Sequence, residues 1–297
     1  MARGVPGYLG PYRLLNVVHT GHASQIWQAY DDANGRMVGV KTLRDASESD
    51  RQELQFLRRE YEVGRKIKHP RIIEMYAFDW DRGQPYLAME WFSAPNMKQR
   101  MQQGMDKLAP LIPKIIDQAA EALSEFNHMG WVHRDVKPDN FLVADDGEVK
   151  LIDFALARRR RRGLAKWLTP RTKIQQGTKS YMSPEQVRGL ALDERADLYS
   201  FACTVHELLA GKPPFTGASV NDLLMKHLKS SPPSLEALNP NVTPALAQLL
   251  RRAMAKKPSD RPKSVADFLR EFRTMRVFRN TPHGNSWKSP SPGADKG

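Results

Sequence analysis

The chain has 297 residues, of which 40% are hydrophobic and 27% charged, so it can bury a substantial core and wholesale disorder is excluded. Its formal net charge of +13 predicts attraction to polyanions such as nucleotide phosphates, nucleic acid, anionic lipid or acidic proteins. The single cysteine, Cys203, rules out a disulfide within the chain. Because no apolar stretch predicts a signal peptide or a membrane span, we expect a cytoplasmic protein.

The N-terminal part has the pattern of a strand-rich lobe. After a leader at 1–10, five strands separated by turn residues are predicted within 11–92. A helix over 53–67 interrupts the strands. Gly64 lies inside this helix and costs about 1 kcal/mol relative to alanine.

The pattern turns helical from residue 93, which predicts a second lobe over 93–276. A long helix over 108–129 carries apolar residues at spacings of three and four. Short strands surround 140–143 and 149–152, and four further helices are predicted over 193–210, 219–229, 243–254 and 264–274. The remainder, 277–297, is rich in Pro, Gly and Ser and is expected to be a disordered tail.

The most specific stretch is "HRDVKPDN" at 133–140, where several polar groups lie in a loop directly before a strand. Phosphoryl transfer needs a carboxylate to orient the attacking hydroxyl, a cation beside the moving phosphoryl group and oxygen ligands for magnesium. Asp135, Lys137 and Asn140 can supply one group each. A polar surface turn would explain "HRD" alone, but it explains the full octet poorly.

Together with the motifs around it, this octet makes residues 11–275 resemble a eukaryotic-type (Hanks-type) serine/threonine protein kinase of the bacterial kind. The resemblance implies an α+β, two-lobe fold with a small β-rich N-lobe and a larger helical C-lobe. It implies that Lys41 of "VGVK" binds ATP phosphates and pairs with Glu60, and that Asp153 of "DFA" binds Mg²⁺ together with Asn140. Taken singly, such a Lys or Glu is usually solvated.

The resemblance also places residues around the adenine of ATP. The backbone of Glu90 and Phe92 in "MEWF" would contact the base, and Met89 would guard the pocket behind it. The phosphate-binding loop "HTGHAS" keeps only the middle glycine, Gly21, of its usual three. Further residues expected around the base, each of which could equally be plain core, are Val18, Ile26, Gly39, Leu142 and Ile152.

The stretch "GTKSYMSPE" at 177–185 resembles the substrate-docking end of the activation segment, with Thr178 near the catalytic loop. There Glu185 is expected to pair with Arg261. Asp197, at a helix start, is expected to hold the catalytic loop. Lys137 and Thr178 together favour serine or threonine as the acceptor.

Two further positions depart from the family pattern. Ala155 stands where the family has glycine, and the methyl group is expected to restrict the movement of Phe154. Gly64 stands where the family has a bulky apolar residue, which suggests that its helix docks weakly. Neither departure removes a metal ligand.

Five consecutive arginines, Arg158–Arg162, follow the "DFA" motif. They are either a solvated charge block or a docking site for acidic partners or anionic surfaces. In the family, an arginine such as Arg134 often pairs with a phosphorylated residue of the activation segment, and Thr169 and Thr172 are the candidates.

These observations favour an enzyme that transfers the γ-phosphate of MgATP to Ser or Thr hydroxyls of protein substrates, including its own. One alternative is a pseudokinase scaffold that binds nucleotide without turnover. Another is a nucleic-acid or membrane binder built on the arginines, which the lack of base-stacking aromatic residues beside them disfavours.

Overall fold

The computed structural model describes residues 7–21, 23–44, 51–160 and 179–282. The chain divides into two compact units. The first unit comprises Met1–Ser93 and Ile152–Ala157, and the second comprises Ala94–Leu151 and Arg158–Gly297. The segment that carries Asp153 therefore belongs to the first unit.

The first unit is built on a six-stranded antiparallel sheet and one main helix, α1 (Arg51–Gly64). The turn before the fourth strand uses Gly35, whose positive φ of 65° suits glycine, and its amide donates to the Asp31 carbonyl at 2.8 Å. In spatial order the strands are β1 (Tyr8–Leu9), β2 (Tyr12–Thr20), β3 (Ser24–Asp31), β4 (Arg36–Leu43), β6 (Gln84–Glu90) and β5 (Met75–Asp81).

The two faces of this sheet have different roles. Side chains alternate between faces along a strand, and directly opposed residues of antiparallel strands share a face. Val38 and Val40 of β4 belong to a buried apolar cluster with Ala29 and Ala88. Lys41 follows Val40 and therefore points to the other face.

The second unit is mainly helical, and α6 (Glu194–Ala210) lies at its centre, buried continuously from Ala196 to Ala210. A helix that is buried on all sides belongs in a core. Asp193 caps its N-terminus, and Gly211, with a φ of 74°, ends it. The other helices are α2 (Met97–Gln103), α3 (Met105–Leu108), α4 (Ile112–His128), α5 (Pro184–Val187), α7 (Val220–Lys229), α8 (Leu235–Leu238), α9 (Pro244–Ala253) and α10 (Val265–Phe272).

Two short antiparallel ribbons complete the second unit. One pairs β7 (Trp131–Val132) with β10 (Arg158–Arg159), and the other pairs β8 (Phe141–Val143) with β9 (Val149–Leu151). The predicted α+β fold, with a strand-rich part followed by a larger helical part, is confirmed. No helix within the described part of the chain is both long and apolar enough to cross a membrane.

The structure corrects both predicted ends of the domain. Tyr8 and Leu9, assigned to the leader, form a strand that pairs with β2. Val277 and Phe278, assigned to the tail, are buried, and Phe278 bridges to Val242. At these residues both predictions are wrong, because the segments are too short to show periodicity and Leu9, Val277 and Phe278 are nevertheless buried.

Candidate active site

In the first unit, Lys41 and Glu60 form an ion pair with Nζ and Oε2 2.7 Å apart. Strand β4 places the lysine, and the helix α1 places the glutamate, whose side chain is only 3% exposed. Burial opposes the charge of Lys41, but the carboxylates of Glu60 and Asp153 outweigh it, so the pKa of Lys41 lies above its usual value. The expected pairing is present, and the lysine is kept cationic.

Asp153 lies close enough to this pair to influence both members. Its backbone is left-handed, with a φ of 64°, a conformation that costs a non-glycine residue roughly 1–2 kcal/mol. The next amide, of Phe154, donates to Glu60, and the Phe154 ring is fully buried. These contacts hold the aspartate in its strained conformation.

Ala155 causes no backbone strain in this arrangement, because it is not among the described residues with positive φ. Its amide donates to the Asp153 carboxylate at 3.3 Å. The residue with positive φ in this segment is Asp153, so this conformation does not require a glycine at position 155.

Gly64 does not leave a gap under α1, and the expectation that this helix docks weakly stays a prediction. A Cβ at this position would overlap the Met75 Cγ and lie 3.1 Å from two ring carbons of Phe154. Met75 and Phe154 therefore occupy the space that a side chain at 64 would fill. The glycine allows α1 to pack closely on both residues.

Most residues expected around adenine lie on the same sheet. Ile26 pairs with Lys41, and Gly39 pairs with Met89, so all four share one face. A Cβ on Gly39 would lie 3.3 Å from the Met89 side chain. Val18, at an irregular point of the β2–β3 register, is 48% exposed and is therefore not core.

The remaining nucleotide candidates are distributed as follows. The Glu90 amide donates to the Glu74 carbonyl at 2.8 Å, so that amide is not available to a base. Gly21 has room for a Cβ, whose nearest neighbour would be 3.5 Å away, so the loop fold itself does not demand glycine. Half-buried positions are found for Phe92 and Ile152 in the first unit and for Leu142 on β8 of the second unit.

The "HRDVKPDN" loop of the second unit brings three polar side chains together. Lys137 Nζ lies 2.8 Å from Asp135 Oδ2. The Asn140 amide nitrogen donates to the Asp135 carbonyl at 2.7 Å and contacts its carboxylate at 3.2 Å. The carboxylate thus has a fixed orientation beside a cation. Asn140 retains its amide oxygen as a ligand atom.

Asp197 holds this loop from α6, as the sequence predicts. Its carboxylate accepts from the backbone amides of His133 at 2.7 Å and Arg134 at 2.8 Å, and from the Asn127 side chain at 2.9 Å. Burial raises the pKa of Asp197 despite these donors. Arg134 is itself left-handed, with a φ of 72°, so the contact constrains a strained turn directly before Asp135.

The expected ion pair between Glu185 and Arg261 is also present. The two guanidinium nitrogens lie 2.7 and 2.8 Å from the two carboxylate oxygens, and both side chains are buried. This bidentate geometry gives directional contacts as well as charge neutralisation. It fixes α5 against the loop before α10.

Sequence reasoning missed a further buried carboxylate, Glu207 of α6. It accepts hydrogen bonds from the Tyr181 hydroxyl and from the Lys98 ammonium group of α2. The only local signal was an acidic residue near the end of a largely apolar helix. Partners this distant in sequence could not be identified without the fold.

Two residues of the arginine run make side-chain contacts within the second unit. Arg159 lies 4.5 Å above the Trp131 ring and donates to the Met129 carbonyl at 2.9 Å. Arg160 pairs with Glu194 at 2.5 Å. A uniformly solvated charge block does not describe these two residues. Other predicted positions lie outside the described residues, namely Arg161, Arg162, Thr169, Thr172 and Thr178.

The donor groups suit Mg²⁺. Mg²⁺ is usually held by one or two carboxylates together with substrate phosphates and water, not by an all-protein cage. Asp153 in the first unit and Asn140 in the second unit each carry a hard oxygen atom of this kind. The described ranges contain no cluster of three or more His, Cys, Asp or Glu side chains placed to hold a metal ion.

A family model for the protein kinase domain matches residues 12–271, which covers strands β2 to β10, the Lys41–Glu60 pair and the catalytic loop. The chain belongs to the protein kinase family. Its relatives include a probable serine/threonine-protein kinase of Streptomyces coelicolor, 32% identical over 86% of this chain and 38% of that protein. PrkC of Bacillus subtilis is 29% identical over 89% of this chain and 40% of its own length.

PknA of Mycobacterium tuberculosis, another serine/threonine-protein kinase, is 30% identical over 96% of this chain and 65% of its own length. The chain thus spans less than two thirds of these relatives. A mutant of the Mycobacterium tuberculosis PknI kinase domain has a similar structure, with a TM-score of 0.68 and 25% identity over 92% of this chain and 99% of that chain. The kinase fold inferred from the sequence is confirmed.

Proposed function

We propose that this chain is a protein serine/threonine kinase that transfers the γ-phosphate of MgATP to Ser and Thr hydroxyls of proteins. The observation that carries the proposal is the catalytic loop, where Asp135, Lys137 and Asn140 are joined by contacts of 2.7–3.2 Å. A carboxylate in this position can accept a hydrogen bond from an attacking hydroxyl and orient it.

Each group has a distinct role in the proposed reaction. Asp135 orients the acceptor hydroxyl and receives its proton. Lys137 offsets the negative charge that develops on the transferred phosphoryl group. Lys41, held by Glu60, binds the α and β phosphates. Asp153 and Asn140 would hold Mg²⁺, which when bound neutralises phosphate charge and orients the γ-phosphate.

The scaffold alternative gains no support. The five groups that handle phosphate, metal and proton are all present, and the relatives are named as serine/threonine-protein kinases. The departures in the loop around Gly21, at Gly64 and at Ala155 leave these groups in place.

Transfer of labelled phosphate from MgATP to a generic basic protein tests the proposal. We expect the wild-type chain to label serine and threonine, and Asp135→Asn to lower the turnover rate by about 10²–10⁴-fold. Asp139→Asn is the matched control, because Asp139 is a half-buried carboxylate of the same loop. Equal loss in both variants, or labelling of tyrosine alone, would contradict the assignment.

A further inference from the structure

The first unit has a concave surface rich in cationic residues that plays no part in the proposed reaction. It is a shallow, open depression of about 450 Å³. Its lining includes one acidic residue, Glu74, and four cationic residues, Arg36, Arg65, Lys66 and Lys68. Arg36 is the first residue of β4, and Arg65, Lys66 and Lys68 lie in the loop that follows α1, so folding brings the two segments together.

Two tyrosines that line the same surface hold the guanidinium groups in place. Arg36 lies 3.8 Å above the Tyr76 ring, and Arg65 lies 5.6 Å from the Tyr61 ring. Tyr61 is itself stacked on Phe78 at 6.2 Å. Arginines restrained in this way lose less conformational entropy when they bind an anion.

The acidic neighbours only partly neutralise this surface. Arg36 Nε is 3.6 Å from an Asp31 oxygen, and Lys68 Nζ is 3.9 Å from a Glu74 oxygen. Both distances exceed that of a good hydrogen bond. The Lys68 side chain is 85% exposed, so an incoming carboxylate can reach it.

We propose that this surface, formed by Arg36, Arg65, Lys66 and Lys68, binds an acidic segment of a protein partner. The cations are spread over a shallow surface, which fits several carboxylates along a peptide better than one compact anion. A guanidinium group lies beside each ring, so a base that stacks on the same ring face, as in single-stranded nucleic-acid binding, would have to displace it. A second copy of this chain in a two-fold contact would place the same cations opposite one another.

The test measures binding of a fluorescent octapeptide of alternating Glu and Asp to the full chain. Arg65→Glu/Lys68→Glu reverses two of the charges, and we expect it to weaken binding by about tenfold or more. The matched control, Lys229→Glu/Arg270→Glu, reverses two exposed cations of the second unit and should change affinity less than about threefold. If the first variant does not fold, the milder Lys66→Ala/Lys68→Ala should still weaken binding measurably.

Support requires that the Gln/Asn version of the peptide does not bind and that affinity for the acidic peptide falls as salt rises. Equal affinity for the wild type and for a folded variant of this surface would overturn the proposal. An oligonucleotide that binds tighter than the peptide and depends on the same cations would also overturn it. A wild-type dimer that is detected by sedimentation and is absent from Arg65→Glu/Lys68→Glu would overturn it as well.

Discussion

Replacing Gly64 with alanine tests how closely α1 packs on the segment that carries Asp153. The added Cβ would overlap the Met75 Cγ and lie 3.1 Å from two Phe154 ring carbons. Overpacking of this kind costs about 1–3 kcal/mol, whereas alanine gains at most about 1 kcal/mol of helix propensity. Because Gly64 is the last residue of α1, that gain is small, and we expect a net loss of about 1–2 kcal/mol in the free energy of unfolding.

Urea unfolding gives this free energy, and Gln55→Ala, on an exposed position of the same helix, is the control that should change it by less than about 0.5 kcal/mol. Met75→Ala alone should cost about 2–5 kcal/mol, because Met75 is buried. The double variant should lose about 1–2 kcal/mol less than the sum, since removing Cγ makes room for the new methyl group. If Gly64→Ala stabilises the chain, or if the two effects simply add, the packing described here is wrong.

Three further predictions concern buried polar groups. Lys41→Met leaves Glu60 without its cation, so it should weaken ATP binding and lower the transfer rate by about 10²-fold or more. An ATP affinity equal to that of the wild type, measured by calorimetry, would contradict this. Asp197→Ala removes the acceptor of two loop amides and should lower the free energy of unfolding, measured by urea titration, by about 3 kcal/mol. A loss below about 1 kcal/mol would mean that the loop keeps its conformation without Asp197. Burial lowers the pKa of His206 and of His227 to about 4, so between pH 6.5 and 4 the unfolded chain binds protons that the folded chain does not. As the pH is lowered from 6.5 to 4, the free energy of unfolding should therefore decrease by up to about 1.4 kcal/mol per pH unit for each histidine. An unfolding free energy that does not change with pH in this window would refute the assignment.

Pairings between motifs could be predicted from the sequence, because motif order constrains which residues meet. The Lys41–Glu60 pair and the Glu185–Arg261 pair are present as expected, although their members are far apart in the chain. Strong helices could also be located, because periodic burial of one face determines them. The roles of these groups in binding and catalysis remain predictions.

The features that could not be predicted are contacts between residues that are distant in the sequence. The glycine at position 64 gave no sign that Met75 would occupy the volume of the missing side chain. The sequence contained no sign that Lys98 and Tyr181 would share the Glu207 carboxylate. Such contacts depend on tertiary packing over long separations, and no local periodicity encodes them.

The most direct measurement compares ATP affinity with the rate of phosphate transfer in Asp135→Asn. Asp135 is assigned to the acceptor hydroxyl and not to the nucleotide, so calorimetry with MgATP should give an affinity within about twofold of wild type. In single-turnover experiments with a protein acceptor, transfer to serine and threonine should be slower by about 10²-fold or more. Transfer at the wild-type rate would contradict the role given to this carboxylate and, with it, the proposed mechanism.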